Sequence, residues 1–197
     1  VSRTTALFAC PDYAAVVGLL RFVQRTTNGL SAFEVMWPEY YDFLAQARGV
    51  TPPIAIGGGL GVLMELTGDD AVGDELLVER IIAEAIDEGL AGDAFVARSA
   101  KDTADIWGMR ESAPLDLMPA VVNFDVGLPI GSIGEFVQVG GQRLRHRWPD
   151  AIVLFFGHIG DSNLHLSVSI GPQGADLIGE IDDIVYDTVR DWGGSIS

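Results

Sequence analysis

The residues with the most chemistry lie in one stretch, Phe155-Phe156-Gly157-His158-Ile159-Gly160-Asp161-Ser162-Asn163-Leu164-His165-Leu166-Ser167-Val168. An apolar run reaches His158, breaks into a Gly/Asp/Ser/Asn turn, and resumes as an alternating strand that carries His165. If the two runs pair as an antiparallel hairpin, residues opposite each other have Cβ atoms about 4.5–5.5 Å apart. Two imidazoles at that spacing reach one Zn²⁺ with bonds of about 2.0–2.1 Å. Two histidines alone hold a metal weakly, so a third ligand, usually a carboxylate, is required. Without it they are two unrelated histidines, one of them hydrogen-bonded in a core. Gly157 and Gly160 permit close backbone approach or positive φ, and Asp161 and Asn163 can tie the turn through their side chains.

Arg110 is the second candidate, on a helix that must end near Pro114. Its guanidinium is a natural bidentate clamp for a carboxylate, and the plainer alternative is an ion pair with Glu111 or another surface acid. His146, within Arg143-Leu144-Arg145-His146-Arg147, reads as a basic helix end that complements the dipole. Gly57-Gly58-Gly59 leads into a strand-like run from Leu60, whereas a phosphate-cradling loop must open a helix. It is therefore a surface connection. No nucleophile elbow, Cys–His pair or zinc-finger spacing is present, and the carboxylates offer no obvious catalytic pair.

These residues need elements to position them. Thr4–Cys10 reads as a strand, and Pro11-Asp12 opens a helix with Val16, Leu20 and Val23 on its apolar stripe. An apolar run from Leu30 to Trp37 carries Glu34 alone, Pro38 to Gly49 is helical, and Leu60–Thr67 is a strand. Val78, Ile81, Ile82, Ala85 and Ile86 set a helix within Asp69–Gly89, whose acidic side faces solvent. After a strand at Ala94–Arg98, Ser99 and Asp102 form a capping box for the helix of Trp107 and Arg110. That order is the split βαβ of ferredoxin-like domains. Then it begins again. Val122, Phe124, Val126 and Leu128 alternate with Asn123 and Asp125, Ser132 and Glu135 suggest a second capping box, the hairpin follows, and Leu177 to Trp192 is a last helix. The expectation is α+β, a ferredoxin-like antiparallel sheet of about seven strands with flanking helices.

The chain has 197 residues, 48% of them hydrophobic and 20% charged, enough for a sizeable core in one large domain or two fused small ones. No run of about 18 apolar residues is present to span a membrane. A net charge of −16, from 28 acidic and 12 basic residues, repels nucleic acid and anionic lipid. An anionic substrate is repelled too, unless an arginine or a bound metal supplies local positive charge. The chain starts at Val1 without a basic-then-apolar leader, as a processed or excised segment would. Cys10, the single cysteine, reads as a small buried hydrophobe at a strand end. It fits a reducing compartment, and a cytoplasmic location is expected.

Gly157-His158-Ile159-Gly160-Asp161-Ser162-Asn163-Leu164-His165 closely resembles the GHxGDGNxH signature of FAD-linked oxidases of the vanillyl-alcohol oxidase type. Within them it is most similar to the D-2-hydroxyglutarate and D-lactate dehydrogenase branch. Leu30-Ser31-Ala32-Phe33-Glu34-Val35-Met36, the Trp107 to Glu111 segment and Phe124-Asp125-Val126-Gly127-Leu128-Pro129 follow in the family's order. The resemblance implies that residues 1–197 are the C-terminal cap and substrate domain, without the N-terminal FAD domain. It also implies that the family's Ala-Glu-His-Gly segment, whose glutamate completes the metal site, follows Ser197. His158 and His165 would then be ligands of a divalent metal, with Zn²⁺ expected. Arg110 would bind the carboxylate of a 2-hydroxy acid, and Asn123 and Ser167 would lie at the substrate. Hydride would pass to FAD, and the domain alone would be inactive. Asn123 stands where the family has a lysine, Ser162 where it has the middle glycine, and Ser167 where it has an asparagine. The losses at Asn123 and Ser167 favour a monocarboxylate such as lactate. The partners implied are the substrate and the FAD domain of the same chain, with a homodimer left open. The rival readings are a histidine-metal hydrolase, which needs a third ligand within this chain, and a ferredoxin-like ligand-binding or regulatory module without catalysis.

Overall fold

Asp12 fixes the first boundary: its carboxylate accepts the Ala15 N–H at 2.8 Å, satisfying one donor that a helix start leaves open. Strand β1 (Ser2–Cys10) precedes it and helix α1 (Tyr13–Thr26) follows, with Val16, Leu19, Leu20 and Val23 buried as one stripe. The computed structural model describes residues 2–111 and 114–196, which form two compact units, Val1–Ala113 and Pro114–Ser197.

The first unit continues through β2 (Leu30–Met36), α2 (Pro38–Arg48), β3 (Leu60–Gly68), α3 (Ala71–Asp87), β4 (Asp93–Val96) and α4 (Ala100–Glu111). Its strands pair antiparallel in the order β4-β1-β3-β2, which is the split βαβ arrangement. Pro38 opens α2, and Gly49, with φ of 61°, closes it, the asymmetry that proline and glycine bring to helix ends. Every residue of β3 from Leu60 to Leu66 is buried, so both faces of the strand are covered. Helices α2 and α4 lie on the face of Gly61 and Glu65, where the Tyr41 ring abuts Gly61 and the Trp107 indole reaches Glu65. In α3, Val78, Ile81 and Ala85 are buried, but Ile82 is half-buried and Ile86 is exposed, so the apolar stripe is narrower than its spacing predicts. Ser99 does cap α4: its hydroxyl accepts the Asp102 N–H at 3.1 Å, and the Asp102 carboxylate accepts the Arg98 N–H at 3.0 Å. The Arg98 N–H, ahead of the Ser99 hydroxyl, holds the Asp102 carboxyl below its usual range.

The second unit repeats the scheme with β5 (Val122–Gly127), α5 (Ile133–Arg147), β6 (Ile152–His158), β7 (Asn163–Ser169), α6 (Ile178–Asp191) and β8 (Ser195–Ile196). Its antiparallel order β6-β7-β5-β8, taken from the other edge, matches that of the first unit. The fold is α+β, as expected. The eighth strand is two residues long, paired with Val126 and Gly127, and too short to register as a pattern in sequence. The second capping box does not form. Ser132 is already in helical conformation at the end of a 3₁₀ turn, Ile130–Ser132, and its side chain makes no cap bond. An N-cap needs extended backbone, and the turn after Pro129 has removed it.

Candidate functional site

In the second unit the pleat brings the candidate residues to one face of β5, β7 and β6. Register sets Asp125 opposite His165, and His165 opposite Phe156. The next row holds Asn123, Ser167 and Leu154. His158 lies two residues beyond Phe156 along β6, so the histidines are diagonal neighbours rather than an opposed pair. Their ring centroids are still 5.1 Å apart with planes at 80°, because both side chains emerge on the same face. Phe156 flanks His165 at 5.1 Å between ring centroids.

Asp125 is the residue that sequence reasoning missed. Its carboxylate meets Nδ1 of His165 in a short contact, so a metal bound by His165 must use Nε2. The alternation of Asn123 and Asp125 was visible in the sequence, but the pairing of β5 with β7 was not. Ser167 donates its hydroxyl to Asn123 Oδ1 at 2.7 Å, and Ser169 donates to the Pro119 carbonyl at 2.6 Å. Both serines are 1% exposed, whereas Asn123 and Asp125 on the same face are exposed, so the face is buried at the serines and open to solvent along β5. Asn163 shares the parity of His165, and its Oδ1 is buried with no hydrogen-bond partner. Such an acceptor is costly unless a ligand or water supplies a donor. Two imidazoles, one oriented by a carboxylate, beside an orphaned acceptor fit a bound metal or polar substrate. Among the described residues no group of three or more His, Cys, Asp or Glu side chains could hold a metal, so the hydrolase reading lacks its third ligand there.

The turn is closed by Ser162 at φ 61°, ψ 24°, the left-handed region that costs an L-residue roughly 1–2 kcal/mol. Ser162→Gly is expected to raise stability by about 1 kcal/mol, read as a higher thermal midpoint; an unchanged or lower midpoint would show that the serine is not strained there.

Arg110 belongs to the first unit and is not paired on the surface. Its Nε donates to Glu34 Oε2 at 2.7 Å, with the side chains 10% and 5% exposed. Tyr40 Oη donates to the Arg110 carbonyl at 2.7 Å, and burial pushes the Tyr40 phenol up to about 12. Three residues earlier on the same helix face, Trp107 Nε1 donates to Glu65 Oε2 at 3.0 Å, and Glu65 also accepts from Thr5 and Ser31. Two buried carboxylates on neighbouring strands thus seat α4. Glu34 stood alone in an apolar run, which was the signal for it.

Cys10 is buried, and desolvation, with Asp12 adding to it, pushes its thiol up to about 12; it is no thiolate nucleophile at neutral pH. His146 lies in the last turn of α5 between Arg145 and Arg147. No helix among the described residues is long and apolar enough to cross a membrane.

The family model described as FAD linked oxidases, C-terminal domain, matches residues 1–197. The chain belongs to this family. Across its full length this FAD-linked oxidase domain is 32% identical to D-2-hydroxyglutarate dehydrogenase, mitochondrial, of Arabidopsis thaliana, spanning 35% of that protein. It is 28% identical to the rat protein of the same name, over 98% of the chain and 36% of the relative. A putative mitochondrial D-lactate dehydrogenase of Schizosaccharomyces pombe is 26% identical over the whole chain, which spans 40% of it. The domain therefore covers little more than a third of these relatives. A solved structure of alkyldihydroxyacetonephosphate synthase superposes with a TM-score of 0.65 over 99% of the chain and 40% of its own, at 13% identity. That likeness shows the fold alone.

Proposed function

We propose that the chain is the substrate- and metal-binding part of an FAD-dependent D-2-hydroxyacid dehydrogenase, which oxidises a D-2-hydroxy acid to the 2-oxo acid. The observation that carries this reading is the His158–His165 pair, with Asp125 on His165, on one polar face of the sheet. Its occurrence in a chain matched end to end by the FAD-linked oxidase family supports it. His158 and His165 are the metal ligands from this chain, with Zn²⁺ the expected ion and the remaining ligand outside the described residues. A bound Zn²⁺ supplies Lewis acidity toward the substrate's oxygens, and FAD, held mainly by another part of the protein, supplies the hydride acceptor.

The chain's own residues bind and orient. Arg110, whose Nε donates to Glu34, is the residue that the resemblance assigns to the substrate carboxylate. Asn123 and Ser167, joined by their own hydrogen bond, offer an uncharged amide and hydroxyl at the substrate. With no cation there, a monocarboxylate such as D-lactate suits the site better than a dicarboxylate. Positive charge from Arg110 and the metal offsets the repulsion of an anionic substrate by a chain of charge −16. The lone cysteine suits a reducing compartment, and the relatives' names put the mitochondrion beside the cytoplasm as the place to look by fractionation.

The test is anaerobic titration of the flavin-loaded full-length protein with D-lactate and D-2-hydroxyglutarate, beside metal analysis. Bleaching of the flavin is expected, with D-lactate the better reductant, together with a divalent metal that His165→Ala loses. Neither bleaching by any D-2-hydroxy acid nor bound metal would sink the proposal.

A further inference from the structure

We propose that Asp125 is the positioning residue for His165, holding its proton on Nδ1 and presenting Nε2 to the metal. This rests on the metal reading of His158 and His165 above. A neutral imidazole has one N–H and one lone pair, and which nitrogen carries which is set by the hydrogen bond the other makes. Asp125 stands directly opposite His165 in the β5–β7 ladder, with its carboxylate on Nδ1. A carboxylate there is an acceptor only, so it selects the Nδ1–H tautomer and leaves Nε2 as the ligating nitrogen. Phe156 and His158 flank the ring from β6, each at 5.1 Å between ring centroids. The imidazole is thus held between a carboxylate on one neighbouring strand and two rings on the other.

The alternative is that Asp125 and His165 are a partly exposed ion pair of no consequence. The Asp125 side chain is 52% exposed, so the pair contributes little to folding, and substitution there should leave the fold intact. Metal affinity separates the two readings, because loss of an orienting partner beyond the ligand typically weakens it 10–100-fold.

The experiment is Zn²⁺ competition against a chromogenic chelator in the full-length flavoprotein, at about 1 M salt, where a Debye length of roughly 3 Å damps the effect of lost charge alone. Asp125→Ala is expected to weaken Zn²⁺ about 10–100-fold with flavin content unchanged, and Asp125→Asn less, because an amide oxygen still accepts from Nδ1–H. His165→Ala should lose binding further. Asp125→Ala within about threefold of the parent, while His165→Ala fails, would overturn the role of Asp125 alone. Equal Zn²⁺ binding by the parent and His165→Ala would instead overturn the metal reading, and this inference with it. If Asp125→Ala loads no flavin, the near-isosteric Asp125→Asn decides: a several-fold loss supports the proposal, and parental affinity overturns it.

Discussion

Glu34→Ala is expected to cost about 3–5 kcal/mol of stability, the usual penalty for breaking a buried ion pair from one side. Glu34 is 4% exposed, and its Oε2 takes the Arg110 Nε proton at 2.7 Å. Removing the carboxylate leaves the guanidinium in a site with little access to water, and its desolvation is no longer offset by Glu34. Glu34→Gln should cost less, about 1–3 kcal/mol, because an amide oxygen still accepts from Nε. Exchanging Glu34 and Arg110 together for methionine should recover most of the loss, since both charges leave the interior at once. Urea unfolding of the parent and the three variants measures these costs. A cost below about 1 kcal/mol for Glu34→Ala would mean that Arg110 is compensated by other partners, and that Glu34 does not hold it. The activity consequence follows from the proposed role of Arg110. Glu34→Gln should raise KM for the hydroxy acid more than it lowers kcat, because a loosened clamp weakens binding to ground and transition states alike.

Local pattern carried the elements, and pairing over distance carried the site. The alternation of Val122, Phe124 and Val126 and the apolar stripe of α1 gave both halves of the fold, because each depends only on neighbours in sequence. The turn between the two runs made an antiparallel hairpin of His158 and His165 legible as a possibility. What it could not give was register: Phe156, not His158, stands opposite His165, since the 3₁₀ turn Ile159–Asp161 takes up chain that a tight hairpin would have paired. Ser167 and Ser169 are polar yet both are buried, with Asn123 and the Pro119 carbonyl satisfying their hydroxyls. Asp125 and Glu34 were visible as lone acids. Their partners lie 40 and 76 residues away, at separations where no periodicity in the chain speaks.

Gly157→Ala is expected to cost about 3 kcal/mol and to weaken Zn²⁺ binding about 100-fold. A Cβ at Gly157 would stand 2.5 Å from the Asn163 carbonyl oxygen, 2.9 Å from Leu164 Cα and 3.2 Å from the His165 nitrogen. All three are backbone atoms of β7, so no side chain can swing aside; the strands themselves must part. They would part where His158 leaves β6 and His165 sits on β7, which carries the ring spacing of 5.1 Å with it. Stability and metal affinity therefore fall together, unlike in Asp125→Ala, where only affinity should move. Gly179→Ala is the matched control. A Cβ there meets nothing within 4 Å, and the position lies in the first turn of α6, where alanine is favoured over glycine by up to about 1 kcal/mol. Opposite signs for the two substitutions in the same melting assay would trace the penalty at Gly157 to the close approach of β6 and β7. A neutral Gly157→Ala would show instead that the hairpin can open without cost, and that the histidine pair does not depend on it.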